Sequence, residues 1–284
     1  MTDLTRYFVL SGLPRSGTTY LAALVHQPPS VISISEAGGT WKNLYRSHGI
    51  HTPMASIAAI FKEYQQRLYD GDEIASFDST AGYAGDARVD TWNQPKAAVQ
   101  FDIAETTRLG FKNPEVFLAW LPTFLDAGFR CAVTVRHPLA VIASWQRKGN
   151  ERNARGQSIH GTFADGASVC YVSSADTPLA RCIDLYNALA QMILTQTEHP
   201  LLKIVRYEDW FSRGLEQLQQ VCAHLEIPVP TALSPSPIAP PPLELSEDAI
   251  ACICSDCIIA ERFGYHVINV AEPTRLSTDL FSHG

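Results

Sequence analysis

Near the amino terminus, Gly12 and Gly17 bracket a cation, Arg15, and two hydroxyl residues, Thr18 and Thr19, follow at once. The run before them, Phe8-Val9-Leu10, is apolar and suits a strand, while the run after them suits a helix. A strand that turns sharply into a helix through glycines directs several backbone N–H groups at one point. The positive end of the helix reinforces their field. Such a point binds an anion, above all a phosphate. Arg15, inside the turn, stands beside the anion's outer, reacting end.

The spacing of Gly12, Gly17, Thr18 and Thr19 has the frame of a P-loop, except that Thr18 stands where a Lys would reach the β- and γ-phosphates of a nucleoside triphosphate. That departure argues against ATP as the donor and for a nucleotide with one phosphate in the cradle. Three further charged residues fall at predicted strand ends: Glu36, Lys112 and Arg136. In an open α/β sheet, ligands bind beyond the carboxyl ends of the strands, so all of them are candidates for one site.

The elements that must position these residues alternate along the chain. Residues 6–11, 31–35, 109–112, 130–136 and 201–206 read as strands. Residues 18–26, 54–68, 115–127, a run opening at His137-Pro138, and residues 178–198, 207–225 and 246–263 read as helices. The alternation predicts a single α/β domain with a central parallel β-sheet flanked by helices on both faces. Residues 41–100 form an insertion rich in aromatics (Trp41, Tyr45, Tyr64, Tyr69, Phe77, Tyr83, Trp92), which suits either an acceptor-side pocket or packing on the sheet. Residues 148–176, polar and broken by glycines, read as an irregular lid or mobile surface loop. Residues 227–245 are a Pro-rich connection, extended because seven prolines fall between Pro228 and Pro242.

Bulk properties narrow the partners. With 284 residues, 46% of them hydrophobic and 18% charged, the chain can bury a sizeable core. A net charge of −7 disfavours nonspecific nucleic-acid binding, so an anionic ligand must be held locally. No apolar run has the length of a membrane span, and the opening Met1-Thr2-Asp3-Leu4 lacks the grammar of a signal peptide; the expectation is a cytoplasmic protein. Seven cysteines, an odd number at irregular spacing, suit a reducing compartment. Cys252, Cys254 and Cys257 cluster without the second pair a zinc site needs, so they read as helical cysteines and no metal is expected.

Leu13-Pro14-Arg15-Ser16-Gly17-Thr18-Thr19, together with Arg136 and Ser144 in Val135-Arg136-His137-Pro138-Leu139-Ala140-Val141-Ile142-Ala143-Ser144, resembles the donor-site pair of sulfotransferases that use 3′-phosphoadenosine 5′-phosphosulfate. The loop is similar to the Arg-bearing form of tyrosylprotein and many bacterial members. Val205-Arg206-Tyr207-Glu208-Asp209 adds a weaker likeness, and residues 41–100 are unmatched.

The resemblance implies the P-loop NTPase-like sulfotransferase fold and a metal-free enzyme that releases 3′-phosphoadenosine 5′-phosphate. It implies cofactor binding by Pro14, Arg15, Ser16, Gly17, Thr18, Thr19, Arg136 and Ser144. Arg15 would serve the bridging oxygen and 5′-phosphate, Arg136 and Ser144 the 3′-phosphate, and Lys112 the transferring group. Glu36 stands at the end of the second strand, where tyrosylprotein and related bacterial members carry a Glu base, so the resemblance implies that it is the base; Phe111-Lys112-Asn113-Pro114 lacks the His that cytosolic members place there. An Arg-Lys-Gly segment closing the 3′-phosphate site is missing. The acceptor is a small molecule or peptide. Two alternatives stand beside this reading: a P-loop nucleotide or small-molecule kinase, and a non-catalytic nucleotide-binding protein of the same fold.

Overall fold

The computed structural model describes residues 4–35, 40–75, 98–100, 103–147, 151–158, 171–230 and 245–265. Strand β1 (Tyr7–Gly12) is buried along its whole length, which is why its sequence is a continuous apolar run rather than an alternating one. The chain turns through the glycine loop into α1 (Thr18–Val25), returns as β2 (Val31–Ser35), and continues through α2 (Thr40–His48) and α3 (Met54–Tyr69). Two short strands, β3 (Ile74–Ala75) and β4 (Ala98–Val99), pair antiparallel. Then come β5 (Arg108–Lys112), α4 (Pro114–Ala119), α5 (Leu121–Asp126), β6 (Arg130–Val135) and α6 (Pro138–Gln146). They are followed by α7 (Glu151–Ala154), the antiparallel pair β7 (Gln157–Ser158) and β8 (Tyr171–Val172), and α8 (Pro178–Leu194). Strand β9 (Leu202–Arg206), α9 (Asp209–Leu225), α10 (Glu247–Asp256) and a 3-10 turn, Ile258–Phe263, complete the described chain.

The main sheet has the order β2-β5-β1-β6-β9 with every pairing parallel. This is the single α/β domain expected. Alternate strand residues face two cores. Phe8, Leu10, Ala132 and Val205 pack under α1 and α9, and Tyr7, Val9, Phe111 and Val133 pack under α3 to α6 and α8. The chain leaves β1 over one face and β6 over the other, so the crevice between their carboxyl ends is the place where such a sheet binds ligands.

Four local expectations change. Residues 115–127 form two helices broken at Trp120, because Pro122 lacks the N–H a continuous helix would use. Residues 246–263 likewise form a helix and a 3-10 turn, separated at Cys257, whose ψ of 34° is not helical. The stretch between Ser35 and α3, left without regular structure in the sequence reading, contains α2, whose Trp41 and Tyr45 are buried. Trp41 makes ring contacts with Phe61, Phe111 and Phe117, so its aromatic bulk serves the core. Tyr64 is buried in the same cluster and Tyr69 is surface-exposed, while Phe77, Tyr83 and Trp92 lie outside the described residues.

Within residues 148–176, α7 and the β7–β8 pair give the segment regular structure of its own. It is docked: the Asn153 amide donates to Glu115 (3.2 Å), and Asn153 is 6% exposed. Residues 148–150 and 159–170 lie outside the described residues, as do 231–244 of the Pro-rich connection. Among the described residues no helix is long and apolar enough to cross a membrane.

Candidate functional site

The loop between β1 and α1 is held from below. Gly12 has φ +152°, and a Cβ there would lie 2.2 Å from Thr134 Oγ1 and 2.4 Å from the Thr134 carbonyl. Gly17 has φ +88°, and its Cβ would lie 2.3 Å from the Tyr207 ring. Both positions therefore need glycine for backbone conformation and for close approach. The Leu13 N–H donates to the Thr134 carbonyl (3.0 Å), and the Trp145 indole N–H donates to the Pro14 carbonyl (3.2 Å).

Ser16 is wholly committed to this scaffold. Its N–H donates to the Leu13 carbonyl (3.0 Å), and its hydroxyl lies 2.6 Å from that carbonyl, 3.0 Å from the Thr134 carbonyl and 2.6 Å from Thr134 Oγ1. Ser16, which the resemblance counts among the cofactor-binding residues, shapes the loop here. The first backbone bond inside α1 runs from the Leu21 N–H to the Gly17 carbonyl (3.0 Å). The N–H groups of Thr18, Thr19 and Tyr20 precede that bond and crown the amino end of the helix.

Three cations converge on this loop. Arg15 occupies the left-handed region at φ +71°, an uncommon conformation for a non-glycine residue, and its Nε donates to Ser144 Oγ at 2.9 Å. Arg136, one residue past β6, donates from Nη1 to the Arg15 carbonyl (3.1 Å) and lays its guanidinium 4.5 Å from the centre of the Tyr207 ring. Its Nε is buried and makes no hydrogen bond among the described residues. Lys112, 2% exposed at the end of β5, donates from Nζ to Thr19 Oγ1 (3.1 Å). The register places Lys112 opposite both Leu10 and Ser35, and Ser35 directly precedes Glu36 in the chain. Glu36 itself lies outside the described residues.

Arg15, Ser144, Arg136, Thr19 and Lys112 are thus brought together from three separate stretches of chain, 15–19, 112 and 136–144. Helix N–H groups, two guanidiniums, an ammonium and hydroxyls form a donor set suited to a multiply charged anion. Among the described residues no group of three or more His, Cys, Asp or Glu side chains could hold a metal ion.

The residues around Arg136 were largely missed in the sequence. Tyr207 supports both Gly17 and Arg136, and burial pushes its phenol up. Glu208 accepts the His137 N–H (3.0 Å) and the Tyr265 hydroxyl (2.7 Å). Burial pushes its carboxyl up, and those two donors and Arg136 oppose the shift. The only signal was the run Arg206-Tyr207-Glu208-Asp209 at a strand end.

No known family profile matches the chain, and no curated protein matches it. Among solved structures, a sulfotransferase from Alicyclobacillus acidocaldarius is similar over 88% of this chain and 90% of its own, with 13% identity and a TM-score of 0.47. A sulfotransferase domain from the curacin biosynthetic pathway is similar over 98% of this chain and 97% of its own, with 18% identity and a TM-score of 0.40.

Proposed function

We propose that the chain transfers a sulfuryl group from 3′-phosphoadenosine 5′-phosphosulfate to a hydroxyl or amine of a small-molecule or peptide acceptor. The observation that carries this reading is the direct bonding of the two candidate phosphate grips, Arg15 Nε to Ser144 Oγ and Arg136 Nη1 to the Arg15 carbonyl. A nucleotide with phosphates on both its 5′ and 3′ positions needs two adjacent grips. The buried, unbonded Arg136 Nε and the N–H groups at the start of α1 fit such a group.

The acceptor's oxygen or nitrogen attacks the donor's sulfur in line, the bond from sulfur to the bridging oxygen breaks, and negative charge is left on that oxygen and the 5′-phosphate. Arg15 and the N–H groups of Thr18 and Thr19 stabilise that charge, and Lys112, bonded to Thr19, holds the transferring group. Arg136 and Ser144 bind the 3′-phosphate. Glu36 receives the acceptor's proton, a task typically worth ~10²–10⁴ in rate. The cations take the part that magnesium plays in phosphoryl transfer, so no metal is required. The unpaired thiols Cys131, Cys182 and Cys222 suit a reducing compartment and a cytoplasmic location.

The test is calorimetry with 3′-phosphoadenosine 5′-phosphate, followed by an acceptor screen with sulfur-labelled donor. Binding of that nucleotide in preference to ATP, with label moving to an acceptor, is the expected result. Magnesium-dependent ATP turnover would instead make the chain a kinase, and nucleotide binding without transfer would make it a non-catalytic binder.

A further inference from the structure

The backbone on either side of Arg136 is pinned by groups from two other parts of the chain, Tyr186 of α8 and the Tyr207-Glu208 pair after β9. The Val135 carbonyl accepts the Tyr207 N–H (2.9 Å), the Arg136 carbonyl accepts the Tyr186 hydroxyl from α8 (3.0 Å), and the His137 N–H donates to Glu208 Oε1 (3.0 Å). The other carboxylate oxygen of Glu208 accepts the Tyr265 hydroxyl at 2.7 Å. Tyr265 also meets the His137 ring edge-on, with centroids 5.5 Å apart, and carries the Arg206 guanidinium 4.6 Å from its own ring centre. His137 Nδ1 in turn accepts the Leu139 N–H (3.3 Å) and caps α6, the helix that bears Ser144.

We infer that Tyr186, Glu208 and Tyr265 form a clamp that presets Arg136 for the nucleotide, so that the carboxyl-terminal segment is a working part of the donor site. The inference rests on the nucleotide reading above. A partly buried carboxyl group is costly to place, and it is held here by two donors, the His137 N–H and the Tyr265 hydroxyl. Arginine is rich in rotamers, and a guanidinium held before binding loses less freedom when the anion arrives. The clamp residues touch the Arg136 backbone or each other rather than the anion, so they are positioning residues.

The clamp also bears on the missing Arg-Lys-Gly segment. Tyr265 reaches the Arg136–His137 peptide indirectly, through Glu208.

The experiment measures calorimetric affinity for 3′-phosphoadenosine 5′-phosphate in Tyr265→Phe, Tyr186→Phe and Glu208→Gln, alone and combined with Arg136→Ala. Each single variant is expected to weaken binding by about threefold to tenfold, with little further loss in the Arg136→Ala background. In transfer assays the donor KM should rise while kcat at saturating donor stays within about twofold of wild type. Tyr265→Phe and Tyr186→Phe keep their rings and remain informative where Glu208→Gln folds poorly. Wild-type affinity in both tyrosine variants would overturn the inference alone. So would losses of equal size with and without Arg136, because the groups would then act only on general stability. If the wild-type chain does not bind the nucleotide, the nucleotide reading and the clamp's role both fall.

Discussion

Arg15 carries two conflicting demands. Its φ of +71° is a conformation glycine adopts freely and a branched backbone resists, yet a cation is kept there. Arg15→Gly should therefore leave the urea midpoint unchanged or raise stability by ~1 kcal/mol, while transfer falls by ~10²-fold or more, as when one preorganised charge-stabilising group is lost. A clear loss of stability would show that the bond to Ser144 outweighs the strain. The two loop glycines differ in what opposes a methyl group. At Gly12 the obstacle includes the Thr134 backbone carbonyl, whereas at Gly17 it is the side chain of Tyr207. Gly12→Ala should accordingly destabilise more than Gly17→Ala, each by more than ~1 kcal/mol, as read from paired urea titrations.

The elements were legible wherever pattern alone decides them. Strand β2 and the start of α3 stand where the sequence placed them, because a β-branched run and a long amphipathic run leave little choice. The break at Trp120 is marked in the chain by Pro122, but the apolar period continues across it and predicts one helix. By contrast, the break at Cys257 has no such marker, while the Arg213 kink in α9 lies between Ser212 and Gly214. At the start of α4, the Asn113 side chain accepts the Val116 N–H (3.1 Å) directly after Lys112. Asn113→Ala should cost about 1 kcal/mol in chemical denaturation, the usual value of a helix cap.

The molecule as a whole is held across the sheet by contacts that no local pattern announces. His224 of α9 places Nε2 3.2 Å from the Cys131 carbonyl and 3.1 Å from the Leu201 carbonyl, stitching the helix to the β6–β9 edge. Burial holds its imidazole below the ordinary 6.5, with Arg130 and Lys203 adding to the effect and the two carbonyls opposing it. On acidification the unfolded chain takes up a proton near its ordinary pKa while the folded chain resists, so this residue's contribution is intact above that value and is lost as pH falls below it, through the lowered folded pKa. His224→Gln should flatten the decline in urea midpoint between about pH 7 and about pH 5 relative to wild type. Identical slopes would show that the imidazole is not linked to folding.

An anion loop at the amino end of a helix, and cations at the ends of neighbouring strands, follow from residue types and short spacings, because strand, turn and helix preferences are local. The pairing of these parts is not local. Arg15 and Ser144 lie 129 residues apart in the chain, and Arg136 and Arg15 are 121 apart. They meet because the parallel order β2-β5-β1-β6-β9 brings the carboxyl ends of β1 and β6 side by side. Tyr207 beneath the loop and the Glu208–Tyr265 bond depend likewise on where β9 and the last turn pack. Tertiary structure alone therefore decided that Arg15, Arg136 and Ser144, the two candidate phosphate grips, lie together, since only sheet order and packing set the distances between them.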